Sequence, residues 1–280
     1  MSIFVSISND LNLLRMKVAI IGAGNMGGAL ARGLAKGSRI ATDEIFVANP
    51  STPKLEALKR EFPDINTTTE NGVAAAAADI VVLAVKPWKV EAVLNEIKPQ
   101  LDYTRQAVAS MVGGLTIAQL GAYLDKGDGQ LPATYIIIPN TAIATLSSMT
   151  FIASARSSSE ADDSLLEVFN ELGEAMLIEE SAMAAATSLA SCGIAYALRY
   201  VRAAMEGGVE LGIRADEAKR IVMQTLRGAV DLLEANNSHP EAEIDRVTTP
   251  GGLTIKGLNA MEAAGFTHSV IEGLRASTKR

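Results

Sequence analysis

The chain has 280 residues, 48% of them hydrophobic, and carries a net charge of −7, one cysteine and two histidines. That length can bury one large core or two ordinary ones, and the composition argues against a disordered chain. The acidic balance speaks against a nucleic-acid partner, Cys192 alone rules out a disulfide framework, and His239 and His268 cannot supply a zinc-type cluster.

Residues 1–15, MSIFVSISNDLNLLR, lack the basic start, long apolar block and small-residue cleavage site of a signal peptide. A disordered extension and a cytoplasmic location are expected. Lys17–Ile21 predicts a strand, and the residues through Lys36 a helix. Between them stand Gly22, Gly24 and Gly27, a G-x-G-x-x-G turn after an apolar strand and at the mouth of a helix, with Asn25 and Met26 inside it. The first glycine permits the tight turn, the second lets a pyrophosphate approach the backbone, and the third allows helix and strand to pack closely.

Glu44–Ala48 predicts a second strand and Lys54–Glu61 a second helix. An NAD site usually places a carboxylate at the end of this strand to accept from the ribose 2′-hydroxyl. Here the sequence reads FVANPSTPK, with Asn49, Ser51 and Lys54 and no acid. The expected cofactor is NADP(H), with NAD(H) left open.

Ile80–Val85, IVVLAV, has the unbroken apolar character of a parallel strand covered on both faces. It ends in Ala84 and Val85, with Lys86 and Pro87 directly behind. Val90–Ile97 reads as a helix, Gln106–Met111 as a strand, Thr116 as the start of a helix, and TYIIIPN as a strand ending at Pro139. Such a sheet binds ligands beyond the carboxyl ends of its strands, so Lys86 and Pro87, and Asn140 with Thr141, are candidates beside a nicotinamide. Ordinary turn chemistry explains either loop taken alone.

The strand and helix alternation predicts an α/β fold with a Rossmann-like doubly wound sheet over residues 16–178. After Ser159 the strand signal nearly disappears. Helices are predicted over 160–172, 180–212, 215–235, 254–264 and 267–277, which makes 179–280 an all-helical domain. Ser181–Leu198 has no charge and about the length of a bilayer span, but it consists mainly of small residues. We expect it buried against other helices, as in a subunit interface, with no membrane partner.

In RVTTPGGLTIKGL, residues 246–258, Thr248 and Thr249 offer hydroxyls, Pro250 fixes the backbone, and Gly251 and Gly252 free it. A helix begins near Thr254, and its first amides suit a carboxylate or phosphate. A hydroxyl cap with a Pro–Gly turn accounts for the same residues.

The pieces IGAGNMGGALARGL, LAVKP, PNTA, SCGIAYALRYVRAAMEGGVELGI and VTTPGGLTIKGL, spread from Met16 to about Ser277, resemble the pyrroline-5-carboxylate reductases. The resemblance implies hydride reduction of 1-pyrroline-5-carboxylate to L-proline by NAD(P)H, the last step of proline biosynthesis. It also implies a helical C-terminal domain that dimerises by interlocking, giving a homodimer or a multiple of dimers. In that family the ring substrate lies between the nicotinamide and the loop matching Thr249 to Thr254. The substrate carboxylate is thereby assigned to Thr249, Gly251, Gly252 and Thr254, and the Thr254 hydroxyl, the one catalytic residue, to the ring nitrogen. A cyclic iminium arrives activated, so positioning replaces a dedicated acid.

The chain departs from the family pattern at several points. Ile136 stands for a frequent Arg, Ala142 for Pro, Ser191–Ile194 for Gly-Ser-Gly-Pro, Thr249 for Ser, and Leu253 for a small residue. Cys192 reads as a small buried residue, and His239 and His268 as loop and surface residues. A related NADP-dependent dehydrogenase of hydroxy acids or of other imines is an alternative; the hydroxy-acid enzymes typically carry a lysine on the first long helix of the second domain, and Ser181–Leu198 has none. A cofactor-binding scaffold without turnover would be indifferent to Thr254→Ala.

Overall fold

The computed structural model describes residues 16–278, so the extension expected at 1–15 lies outside the described residues. The chain divides into two compact units, the first ending at Thr187 and the second beginning at Ser188.

The first unit runs β1 (Val18–Ile21), α1 (Asn25–Lys36), β2 (Ile45–Ala48), α2 (Thr52–Glu61), β3 (Asn66–Thr68), α3 (Asn71–Ala77), β4 (Ile80–Leu83) and α4 (Val90–Ile97). It continues through β5 (Ala107–Ser110), α5 (Ile117–Leu124), β6 (Thr134–Ile138), β7 (Ser148–Ala155), α6 (Ser159–Asn170), β8 (Gly173–Leu177) and α7 (Met183–Ala186). One sheet holds all eight strands in the order β3-β2-β1-β4-β5-β6-β7-β8. The continuous apolar runs form its middle because both faces there are covered. Ile20, Ile21, Leu83 and Ile137 are fully buried, each burial contributing roughly 1.5–3 kcal/mol before chain entropy is counted.

Register places the ligand edge. Ile21 at the end of β1 pairs with Ala48 of β2 on one side and Leu83 of β4 on the other. The chain leaves all three strands at one level, where the amide of Gly22 donates to the Ala48 carbonyl at 2.8 Å and that of Ala84 to the Ile21 carbonyl at 2.9 Å. Strand order reverses between β1 and β4, the switch point where doubly wound sheets open a crevice.

The sheet departs from a purely parallel arrangement at β6 and β7, which pair antiparallel. It also extends past Ser159, since β8 pairs parallel with β7. Glu171, following α6, ties the end of α1 to this part of the unit. Its carboxylate accepts from the Ser38 amide at 2.8 Å, the Ser38 hydroxyl at 2.5 Å and the Arg39 amide at 2.8 Å. Burial raises its carboxyl pKa, but the Ser38 and Arg39 hydrogen bonds and the Arg39 charge outweigh that and hold it below the ordinary glutamate value.

A π-helical stretch, Thr187–Cys192, leads into α8 (Gly193–Glu210), followed by α9 (Ala215–Asn236), α10 (Pro240–Val247), α11 (Leu253–Ala263) and α12 (Phe266–Thr278). The Ser188 hydroxyl bonds the Leu274 carbonyl at 2.8 Å, and the Tyr196 hydroxyl donates to the Gly273 carbonyl at 3.1 Å, fastening α12 to the start of α8. A Cβ on Gly208 would stand 3.1 Å from that of Ala218, so α8 and α9 approach closely there.

Within a single chain, much of this unit's surface is left uncovered. Among its described residues only Ser188 and Ala218 are buried, while Leu189 and Leu198 are 66% and 60% exposed. Within one chain the small-residue stretch is thus covered only in part, where Ser188 and Tyr196 meet α12. By length and composition alone, Glu180–Glu210 could cross a bilayer. Cys192 is half-exposed rather than buried. His239 has a structural role, because its Nδ1 accepts from the Glu241 amide at 3.2 Å and caps α10.

Candidate functional site

The glycine turn is explained by what surrounds it. Gly22 sits at φ +109°, a region that favours glycine, and a Cβ there would lie 2.6 Å from the Ala84 carbonyl oxygen. A Cβ on Gly27 would lie 1.9 Å from the Gly22 carbonyl oxygen, so this residue lets α1 press onto the turn. Nothing stands within 4 Å of a Cβ on Gly24. That open space belongs to a cavity.

The cavity measures about 590 Å³ and is lined by ten residues singled out in the sequence, namely Gly22, Gly24, Asn25, Met26, Asn49, Ser51, Lys54, Ala84, Val85 and Lys86. Its size falls in the range of cofactor clefts. Gly27, Pro87 and Asn140 are not part of the lining. Pro87 opens the 3-10 turn Pro87–Lys89. Asn140 is buried and occupied: its side-chain oxygen accepts from the Ala142 amide at 3.0 Å, while its own amide donates to the Ser148 hydroxyl at 3.1 Å. It caps the turn Thr141–Thr145.

Asn49 is also spent inside the protein. Its carboxamide oxygen accepts from the Ala23 amide at 3.0 Å, and its nitrogen donates to the Ser51 carbonyl at 3.0 Å. The residue fixes the two loops that frame the cavity.

Five lining residues were missed in the sequence: Pro50, Asn71, Lys89, Val93 and Met111. Lys89 and Val93 stand one helical turn apart directly behind Lys86 and Pro87, a spacing that could have flagged them. The lining contains no carboxylate. Lys54, Lys86 and Lys89 make no ion pair among the described residues. A neighbouring cavity of about 420 Å³ shares Gly24, Asn25 and Lys54 and adds Arg32, whose guanidinium is taken by Glu61 at 2.6 Å.

In the second unit, the Gly252 amide donates to the Thr249 carbonyl at 2.9 Å, and Gly251 takes φ +71°. α11 is capped at Gly252 without a side-chain hydrogen bond, so no hydroxyl is consumed as its cap. Thr249 and Thr254 are exposed, and no hydrogen bond occupies their hydroxyls among the described residues, whereas Thr248 bonds back to the Asp245 carbonyl at 3.2 Å. Leu253 is 87% exposed. The segment thus presents two free hydroxyls beside a glycine pair at a helix start. Ile136, in place of a frequent Arg, is a core residue of β6.

Comparison with known proteins gives consistent relatives. A family model for pyrroline-5-carboxylate reductase dimerisation matches residues 180–280, and one for coenzyme F420-dependent NADP oxidoreductases matches residues 17–112. Pyrroline-5-carboxylate reductase 2 of Dictyostelium discoideum is 38% identical over 94% of this chain and 91% of its own. Pyrroline-5-carboxylate reductase 1 of the same organism is also 38% identical over 94% of the chain, which spans 49% of that relative's length. Among solved structures, a Plasmodium falciparum pyrroline carboxylate reductase with NADP bound superposes with a TM-score of 0.84 at 28% identity, covering 94% of this chain and 95% of that one.

Proposed function

The chain belongs to the pyrroline-5-carboxylate reductase family, and on that footing we propose that it reduces 1-pyrroline-5-carboxylate to L-proline with NADP(H), the last step of proline biosynthesis. The observation that carries this reading is the cavity over the glycine turn, with three unpaired lysines and no carboxylate in its lining. A dinucleotide bearing a pyrophosphate and a 2′-phosphate suits such a lining, whereas a carboxylate would repel it.

NADPH, when bound, supplies the hydride that the imine carbon receives. Gly22 and Gly24 give the pyrophosphate access to backbone amides, with Asn25 and Met26 at the start of α1. Ser51 and Lys54 receive the 2′-phosphate, and Ala84, Val85 and Lys86 form the wall beyond β4. The loop Thr249–Thr254 takes the substrate, its carboxylate on Thr249, Gly251 and Gly252. The Thr254 hydroxyl accepts from the ring N–H of the iminium and orients the ring. Because that nitrogen already carries its proton, hydride addition at carbon completes the amine and no side chain has to deliver one. Most of the rate is then positioning.

Residues 16–178 act as the dinucleotide-binding domain and 179–280 as the helical domain for dimerisation and substrate. Copies of this chain associate through the helical unit as a dimer or a multiple of dimers, supported by the exposed Leu198, Ile221, Val230 and Leu232 of α8 and α9. A cytoplasmic location belongs to the same reading, in keeping with one free cysteine.

NADPH oxidation followed by absorbance, with 1-pyrroline-5-carboxylate as substrate, tests the proposal. Turnover that forms proline is expected. Binding of NADPH without turnover would keep the cofactor cavity and remove the substrate assignment.

A further inference from the structure

Two elements, the β2–α2 connection and α4 with α3, contribute to the lining of the cofactor cavity. In the first, Pro50, Ser51 and Lys54 follow β2 into the first turn of α2. In the second, the Asn71 side chain at the start of α3 donates to Glu96 of α4 at 2.9 Å, which sets α4 alongside α3. Lys89, Val93 and Glu96 fall at successive turns of one helical face, since Lys89 is already in helical conformation as the residue before α4. The face of α4 that meets Asn71 therefore carries Lys89 two turns before Glu96, among the residues that line the cavity. Lys89, Val93, Asn71, Ser51 and Lys54 all line the same space. Lys86 differs in place, following Val85, whose side chain crowds the Gly22 turn.

The Lys89 side chain has no ion-pair or hydrogen-bond partner among the described residues, and the residue is exposed. Glu96, on its own face, is engaged by Asn71. An uncommitted cation that lines, from a different element, the same carboxylate-free cavity as Lys54 suits a doubly charged group. We propose that Lys89 is a second cation for the 2′-phosphate of the cofactor, acting with Lys54, and that it sets a preference for NADPH over NADH. The inference rests on the reading of this cavity as an NADP site. It adds a specificity residue from the β4–α4 turn to the one expected after β2. Two cations in place of one make the discrimination steeper in salt, because each contact releases counterions on binding.

The test uses two probes that need no turnover, adenosine 2′,5′-bisphosphate and ADP, titrated by calorimetry into the full chain and into Lys89→Gln and Lys89→Arg. In Lys89→Gln the affinity for adenosine 2′,5′-bisphosphate falls about tenfold, the scale of one charge-assisted contact at an exposed site, while that for ADP moves less than about twofold. Lys89→Arg restores the bisphosphate to within about threefold, because a cation remains. In steady-state assays the same Gln variant raises the KM for NADPH with kcat retained, and the KM for NADH stays nearly level. Equal weakening of both probes, or of neither, overturns the role of Lys89 while leaving the cavity as an NADP site. Failure of the unaltered chain to bind either probe overturns that site reading and this inference together.

Discussion

Asn49 holds the backbone amide of Ala23 through its carboxamide oxygen at 3.0 Å, a buried contact that joins the end of β2 to the glycine turn. The same side chain reaches the Ser51 carbonyl, so one residue both shapes its own loop and ties it to the glycine turn. Asn49→Ala leaves the Ala23 amide without its acceptor and is expected to destabilise the first unit by roughly 1–3 kcal/mol, with a raised KM for NADPH. Asn49→Asp keeps the acceptor but adds a negative charge, so it loses less stability and more NADPH affinity. Thermal unfolding set beside the KM of each variant reads both effects.

Two glycines of the same turn, Gly24 and Gly27, separate binding from folding. Gly27→Ala drives a methyl into the Gly22 carbonyl, 1.9 Å away, and should give a chain that unfolds earlier or does not accumulate. Gly24→Ala meets nothing within 4 Å and should melt close to the parent. Its methyl instead enters the cavity and lowers NADPH affinity. Equal melting losses in both variants would contradict this division.

The hydroxyl of Thr254 is free and exposed at the start of α11. Thr254→Ala should lower kcat/KM for the imine by roughly 10- to 100-fold, the loss of one hydrogen bond to a charged group, while NADPH binding by calorimetry stays unchanged. Thr254→Ser keeps the oxygen and should recover most of the rate. Full activity in the Ala variant would remove the hydroxyl from the mechanism.

Glu171 gives the fold an acid limb. Its folded pKa lies below the ordinary value of 4.5, so its contribution is fully present above that value and is lost as pH falls through the folded pKa. Glu171→Gln should lower stability at neutral pH by roughly 1–3 kcal/mol. Chemical unfolding at several pH values should then find parent and variant converging as the solution is acidified below about pH 4.5. A constant gap across that range would mean the carboxylate charge is not what matters.

The central strands were legible because burial on both faces demands unbroken apolar runs, as in VAII and IVVL. β3, with the sequence Asn66-Thr67-Thr68, is half-buried throughout at the sheet edge and carries no apolar signal. β8 was hidden for a similar reason, since Glu174, Met176 and Leu177 are exposed. α3 is mostly alanine, which has no periodicity to read. At the candidate site the glycine turn could be read from spacing, since sterics there act over a few residues. Lys89 could have been flagged by its place just behind Lys86 and Pro87, whereas Asn71 reaches the cavity because α3 lies beside α4, a relation no local pattern encodes. Asn140 failed to reach it because a turn cap claimed its side chain first.

The second unit, with Ser188 and Ala218 as its only buried described residues, has too little interior of its own to stand against chain entropy. Its folding and its encounter with another copy should therefore be a single second-order event. Dilution alone should lower the unfolding temperature. In the cell, the concentration of newly made chains would then decide how long each one waits in a half-folded state before it meets a partner.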